Sequence, residues 1–176
     1  DCNCAASKWI ADKVTAGGGG APDRLHANTF LGWNFDGYYS KHNDISSVME
    51  LKKRGGKVII IDIRKTPAAK NLADIFLHIR PGTDGALALG MAKLIIDNGW
   101  ADKDYIEKYT YGFDAYREMV QEYTLEKVQE ITGLDPNAVY EATKLYATNG
   151  PACTNYSASA IVHHVNGFNA HRAILC

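Results

Sequence analysis

The segment that most constrains this chain is Lys57-Val58-Ile59-Ile60-Ile61-Asp62, an unbroken β-branched run with Gly55-Gly56 before it and Arg64-Lys65-Thr66 just after it. A strand with one wet face alternates apolar and polar residues. A continuous apolar run needs cover on both faces, as parallel strands have in α/β folds. Upstream, Ile45, Val48, Met49 and Leu51 fall on one helical face between Asp44 and Arg54. Lys52, Lys53 and Arg54 occupy the last turn, where cations suit the helix dipole, and Gly55-Gly56 stops the helix. Helix, glycine turn and buried strand make half of an α/β unit.

The pattern continues in kind. After a polar linker, Asp74-Ile75-Phe76-Leu77-His78-Ile79 reads as a second, shorter strand. The loop Arg80-Pro81-Gly82-Thr83-Asp84-Gly85 then opens a helix from about Ala86 to Asp97, which ends at Asn98-Gly99. Strand, glycine loop and helix present free backbone N–H groups to an anion. Four short helices are expected next: Lys103–Lys108, Asp114–Glu122, Leu125–Thr132 between Thr124 and Gly133, and Pro136–Ala147 with Asp135 as N-cap. Ala152–Ser159 reads as another strand and Asn166–Leu175 as another helix. The N-terminal third is irregular. Gly17-Gly18-Gly19-Gly20-Ala21-Pro22 is a flexible run, and Phe30 to Gly37 is a short apolar stretch ending in turn residues, so loops are placed there rather than elements. The expected fold class is α/β, a Rossmann-like parallel-sheet portion with a helical insertion.

The chain has 176 residues, within the roughly 100–200 typical of one domain. Its 19 Lys+Arg against 20 Asp+Glu leave a formal charge of −1, which argues against nucleic acid as a partner, since a phosphate-binding chain carries a basic excess. No stretch approaches the ~18 apolar residues of a bilayer span. The start, Asp1-Cys2-Asn3-Cys4, has no basic and apolar leader pattern, so a cytoplasmic protein is expected; a periplasmic one stays open because any signal would lie outside this segment. Asp rather than Met at position 1, and Cys176 directly after an apolar run, suggest a piece of a longer chain. Cys2, Cys4, Cys153 and Cys176 match no paired zinc spacing and are too sparse for a disulfide scaffold, so reduced thiols are expected.

Three places could carry chemistry. Asp62, Arg64 and Thr66 on one strand end, with Gly82, Thr83 and Asp84 on the next, stand where open parallel sheets bind ligands. The carboxylates suit ribose hydroxyls or a guanine N–H edge, and Arg64, Lys65 and Thr66 suit phosphate oxygens; Asp62 and Asp84 read equally as caps of the following segments. Neither GxGxxG nor GxxxxGK[ST] is present, so neither an ordinary dinucleotide fold nor a P-loop is supported. Cys4, beside Cys2, could be a soft-metal ligand, a nucleophile or a small buried hydrophobe. His163-His164 cannot both face one metal from an extended strand; a loop along a cofactor and a solvent-facing pair are the alternatives.

The run Arg54-Gly55-Gly56 through Ile63-Arg64-Lys65-Thr66, then Leu72-Ala73-Asp74, then Ile79-Arg80-Pro81-Gly82-Thr83-Asp84-Gly85-Ala86-Leu87, resembles the molybdopterin oxidoreductases of the dimethyl sulfoxide reductase superfamily. In that superfamily a strand ending in Asp-Pro-Arg-x-Thr is followed by Ala-Asp and then Arg-Pro-Gly-Thr-Asp before a helix. Here Ile63 replaces the Pro, and one extra residue stands between Thr66 and Ala73. The stretch from Asp114 to Ala152 is similar to a tungsten-dependent, non-redox hydratase branch.

The resemblance implies a role for each motif. Asp62, Arg64 and Thr66 would lie along one molybdopterin guanine dinucleotide carrying molybdenum or tungsten, with Gly82, Thr83 and Asp84 around its guanine end. Gly32 and Asn34 match a Gly-x-Asn loop beside the pterin phosphates. Cys4 falls where the superfamily places its metal ligand, with Cys2 as the alternative. His164, Asn166 and Gly167 match a Gln-His-x-Asn-Gly segment near the active site, which makes His164 the catalytic candidate. Formate dehydrogenases place His after the metal ligand, whereas Ala5 follows Cys4 here, so formate oxidation is disfavoured. A 4Fe-4S iron–sulfur cluster is expected in the longer protein outside this segment. The implied organisation is a loop-rich metal-ligand and pterin-contact segment at 1–43, an α/β dinucleotide-binding segment at 44–100, a helical insertion at 101–150, and a return strand and helix at 151–176. The expected reaction is two-electron or oxygen-atom-transfer redox chemistry on a small molecule, with an electron-transfer subunit as partner. Non-redox hydration at tungsten is the first alternative, and a nucleotide-binding domain without catalysis the second.

Overall fold

Four parallel strands form the centre of the computed structural model, which describes residues 6–40 and 42–176: β1 (Thr29–Trp33), β2 (Lys57–Asp62), β3 (Ile75–His78) and β4 (Ala152–Tyr156). Their order is β3-β2-β1-β4, and the ladder sets Leu31 against both Ile59 and Thr154, and Ile60 against both Gly32 and Phe76. α1 (Ala6–Ala16) precedes β1; α2 (His42–Lys53) links β1 to β2 and α3 (Pro67–Asn71) links β2 to β3. The crossover from β3 to β4 contains α4 (Asp84–Asp97), α5 (Lys103–Tyr109), α6 (Phe113–Val120), α7 (Leu125–Thr132) and α8 (Pro136–Thr148). After β4 come α9 (Ala158–Val162) and α10 (Gly167–Leu175). The α/β class expected from the sequence is the class observed.

The β2 run explains the layering. Ile59 and Ile61 join Leu31, Trp33 and Leu77 in a core completed by Leu87, Met91, Val128, Val139 and Ala142 from α4, α7 and α8. Val58 and Ile60 point the other way, into a second core with Phe30, Val48, Leu51, Ala68, Ala69 and Leu72. Two covered faces are why the strand needs no polar alternation, and each buried Ile or Val contributes roughly 1.5–3 kcal/mol.

The structure departs from the sequence expectations in four places. The N-terminal third holds a helix and the second central strand, not only loops. β1 hides itself because Gly32 breaks a strand-like pattern. A Cβ there would come within 2.7 Å of Ile60 Cδ1 and 3.0 Å of Phe35 Cβ, so the core demands the glycine. α1 hides itself because its pattern is inverted: Ala11 and Asp12 are buried, while Trp9, Ile10 and Val14 are exposed. The polar linker contains α3, begun by the Thr66 N-cap and Pro67 in the first turn. Finally, β4 ends at Tyr156, and Ala158 and Ser159, expected in the strand, open α9 instead.

Polar contacts hold α1 in place. Asp12 accepts from His171 Nε2 at 2.9 Å, from the Tyr156 hydroxyl at 3.3 Å and from Lys8 Nζ, and both Asp12 and His171 are buried. Burial pushes the Asp12 carboxyl up, but Lys8 and His171 more than offset it, and its net position is below the ordinary value. Burial also lowers the His171 imidazole below its ordinary 6.5, against the opposite pull of Asp12. Unfolding therefore takes up a proton once the pH is below 6.5. Stability from this group should be complete above that value and fall as pH drops through it towards the lower folded value. Denaturant midpoints measured from pH ~7.5 to ~5.5 should decline on the acid side; a flat profile would contradict the neutral buried imidazole.

Candidate functional site

The chain runs from β1 through β2 to β3 on one side of β1, then returns to place β4 on the other side. The direction of winding reverses between β1 and β4, and ligands of open α/β sheets bind outside the carboxyl ends of the strands at such a reversal. The predicted strand-end residues come together on that edge.

Beyond β1, Asn34 takes a left-handed φ of 53° that a residue with a short polar side chain tolerates. Its backbone N–H donates to Ile61 O at 2.7 Å, turning the chain over the end of β2. Its side-chain amide donates to Asp84 Oδ1 at 3.1 Å, and Trp33 Nε1 donates to the same oxygen at 2.8 Å. Asp84 is buried at the first residue of α4, where the helix dipole favours a carboxylate. It therefore joins the β1 end to α4, and is more than a local cap.

Beyond β2, Asp62 is buried and accepts from the Arg64 backbone N–H at 3.1 Å; burial pushes its carboxyl up from the ordinary value. The Arg64 side chain is 71% exposed and, among the described residues, pairs with Asp36 Oδ2 at 3.5 Å. Asp36 is buried, and its other oxygen, Oδ1, has no partner among the described residues. An unsatisfied buried carboxylate oxygen is costly, and a donor from a ligand would satisfy it. The sequence reading missed Asp36 because Asp36-Gly37 looks like a plain turn.

Thr66 is buried as the N-cap of α3, accepting from Ala69 N at 3.2 Å. Thr66→Ala should cost about 1 kcal/mol of stability, read as a lower denaturant midpoint at constant slope. Gly82 adopts a left-handed φ of 78° in an open turn, and Thr83 Oγ1 donates to Arg80 O at 2.7 Å. Arg80 braces this loop: its guanidinium donates to Glu130 O at 2.8 Å and its backbone N–H to Thr132 O, both at the end of α7.

The third segment lies beyond β4. Ser157 N–H donates to Trp33 O at 3.0 Å, holding the chain to the end of β1. His164 follows α9, and its Nε2 is buried without a partner among the described residues. Asn166 precedes α10 and its Oδ1 accepts from Asn169 at 3.0 Å. Gly167 is buried against the Val162 backbone. Gly85 at the start of α4 lies against Ala170 of α10, so the two predicted segments belong to packed neighbours. Gly32, by contrast, lies inside the sheet and faces core side chains. Cys4 and Cys2 are outside the described residues. Among the described residues no group of three His, Cys, Asp or Glu is placed to hold a metal ion. Cys153 is core, its thiol pushed up to about 11 by burial. Among them, too, no helix is long and apolar enough to cross a membrane.

No family model matches the chain. It is 31% identical over 176 residues to the probable oxidoreductase YoaE of Bacillus subtilis, across 99% of this chain and 26% of that protein. It is 43% identical over 133 residues to acetylene hydratase of Syntrophotalea acetylenica, across 74% of this chain and 18% of the relative. The solved structure of acetylene hydratase from Pelobacter acetylenicus matches with a TM-score of 0.87 at 35% identity, covering 97% of this chain and 23% of that one. These relatives are members of the molybdopterin oxidoreductase family, and the chain corresponds to a segment of them. It spans about a quarter or less of the length of these family members. The likeness to that solved structure covers nearly the whole chain, the four strands included.

Proposed function

We propose that the chain is part of the catalytic subunit of a molybdenum or tungsten enzyme carrying two molybdopterin guanine dinucleotides. The observation that carries this is a set of polar groups in the segments that follow the strands: Asp36 Oδ1 and His164 Nε2, without partners among the described residues, and the exposed Arg64 guanidinium, held by one long ion pair. Arg64 would meet phosphate oxygens through its planar fork. Asp62 and Asp36 would accept from ribose hydroxyls or the N–H edge of the base. Asp84 is held ready by Trp33 and Asn34, and the Gly82-Thr83 turn borders it. Gly32 and Thr66 shape the strand-end edge from within, Gly32 by close packing and Thr66 by capping α3. Asn166 and Gly167 set the loop in which His164 would take or give a proton at Nε2, and Cys4 would be the protein's metal ligand. When bound, the cofactor would supply a soft-ligand metal able to exchange two electrons or an oxygen atom.

The first reading of the reaction is redox chemistry on a small molecule, with an electron-transfer subunit and an iron–sulfur cluster in the longer, cytoplasmic protein. The likeness to acetylene hydratase favours a second reading, non-redox hydration at tungsten. On either reading the chain divides into a metal and pterin segment at 1–43, a dinucleotide segment at 44–100, an insertion at 101–150 and a return segment at 151–176. The full-length protein should contain molybdenum or tungsten and release guanosine monophosphate on acid hydrolysis. A metal-free protein that releases no nucleotide would refute the proposal. Reduction of a dye acceptor by substrate would select redox chemistry; acetaldehyde formed from acetylene and water without an acceptor would select hydration.

A further inference from the structure

The part-buried cluster of Lys8, Asp12, Tyr156 and His171 takes no part in the strand-end site, yet it joins α1, the end of β4 and α10. Asp12 and His171 are about 1% and 0% exposed, and the Tyr156 and His171 rings meet edge to face at 4.6 Å. Lys8 lies over the Tyr156 ring at 4.9 Å while pairing with Asp12. A second rung, Arg172 Nε to Thr15 Oγ1 at 3.3 Å, joins the same two helices. α1 has little else to anchor it: Ala11 is its one fully buried apolar residue, and Trp9, Ile10 and Val14 are exposed. Apolar contacts would let a helix slide or rotate, whereas directional bonds onto one carboxylate permit one register. Asp12 takes three donors, and a carboxylate accepts only, so His171 carries its proton on Nε2. Its Nδ1 is then an acceptor, buried without a partner among the described residues.

The two helices joined in this way begin beside the two segments assigned to chemistry. Cys4 stands two residues before Ala6, the first residue of α1, and His164 and Asn166 stand just before Gly167, the first residue of α10. We propose that Lys8, Asp12, Tyr156 and His171 form a positioning clamp that fixes the register of α1 on α10, and with it the first turn of α1 relative to the His164–Gly167 segment. The purpose of the clamp rests on the pterin-enzyme reading; its existence does not.

The test uses the full-length protein with and without cofactor. In the cofactor-free protein, His171→Leu keeps the volume and removes the bond to Asp12. Amide exchange along α1 should then rise about tenfold or more while β2 amides stay protected. His171→Gln, whose amide can still donate to Asp12, should restore most of that protection. Lys8→Met removes one donor at the partly exposed end of the cluster, and should give a smaller rise even if His171→Leu fails to fold. In the loaded protein, the electron paramagnetic resonance signal of the metal should broaden or shift in His171→Leu and recover in His171→Gln. Unchanged α1 exchange in both His171→Leu and Lys8→Met would overturn the clamp. Faster α1 exchange with an unaltered metal signal would overturn its positioning role. A metal-free unsubstituted protein would refute the pterin-enzyme reading instead, leaving the exchange measurements to decide the clamp alone.

Discussion

Arg64→Ala in the full-length protein is expected to leave the fold intact and weaken retention of the dinucleotide cofactor by about 10- to 100-fold. A hydrogen bond to a charged group is worth about 1.5–3 kcal/mol, and ~1.4 kcal/mol is tenfold in affinity. The cost to the unliganded fold is small by comparison. The side chain is 71% exposed and its ion pair with Asp36 is long at 3.5 Å, so solvent screening leaves about 1 kcal/mol or less. Arg64→Lys should recover only part of the loss, because a point charge cannot reproduce the bidentate fork. The measurement is metal and guanine nucleotide content after dialysis, beside the denaturation midpoint. A variant with unchanged cofactor content would remove Arg64 from the site.

Gly167→Ala should have the largest effect on stability. A Cβ on Gly167 would come within 2.5 Å of Val162 Cα and 2.6 Å of its carbonyl carbon and oxygen. These are backbone atoms and cannot rotate away as a side-chain tip would. Overpacking a core commonly costs about 1–3 kcal/mol, and a clash with backbone belongs at the upper end or beyond. α10 would have to withdraw from α9, carrying Asn166 and the His164 loop with it. A lowered melting temperature should therefore be accompanied by faster exchange in α9 and α10. A variant as stable as the parent would show that α10 can settle elsewhere.

The two predictions differ in how legible their residues are in the sequence. Arg64 stands out from the sequence alone because it follows a buried parallel strand, and strand ends are where such sheets bind ligands. Gly167 stands out only through family resemblance, and its packing against Val162 depends on two helices meeting at one angle. The same division runs through the fold. β2, α2, α7 and α8 announce themselves through apolar runs, helical spacing and caps such as Thr124 and Asp135, which are local signals. β1 and α1 do not, because Gly32 answers to Ile60, and Asp12 answers to His171, residues distant in the chain.

Local sequence is enough for the α/β class, most helices, the parallel nature of the sheet and the two loops that carry Asp62, Arg64 and Asp84. Each is written in a contiguous stretch whose periodicity or caps act over one or two turns. The order β3-β2-β1-β4, the reversal between β1 and β4, the binding of Trp33 and Asn34 to Asp84, the orphaned oxygen of Asp36 and the contacts that hold α1 arise only when the chain is folded. A buried polar group must find its partner wherever the fold brings one within hydrogen-bond reach, and that distance is not a property of sequence separation.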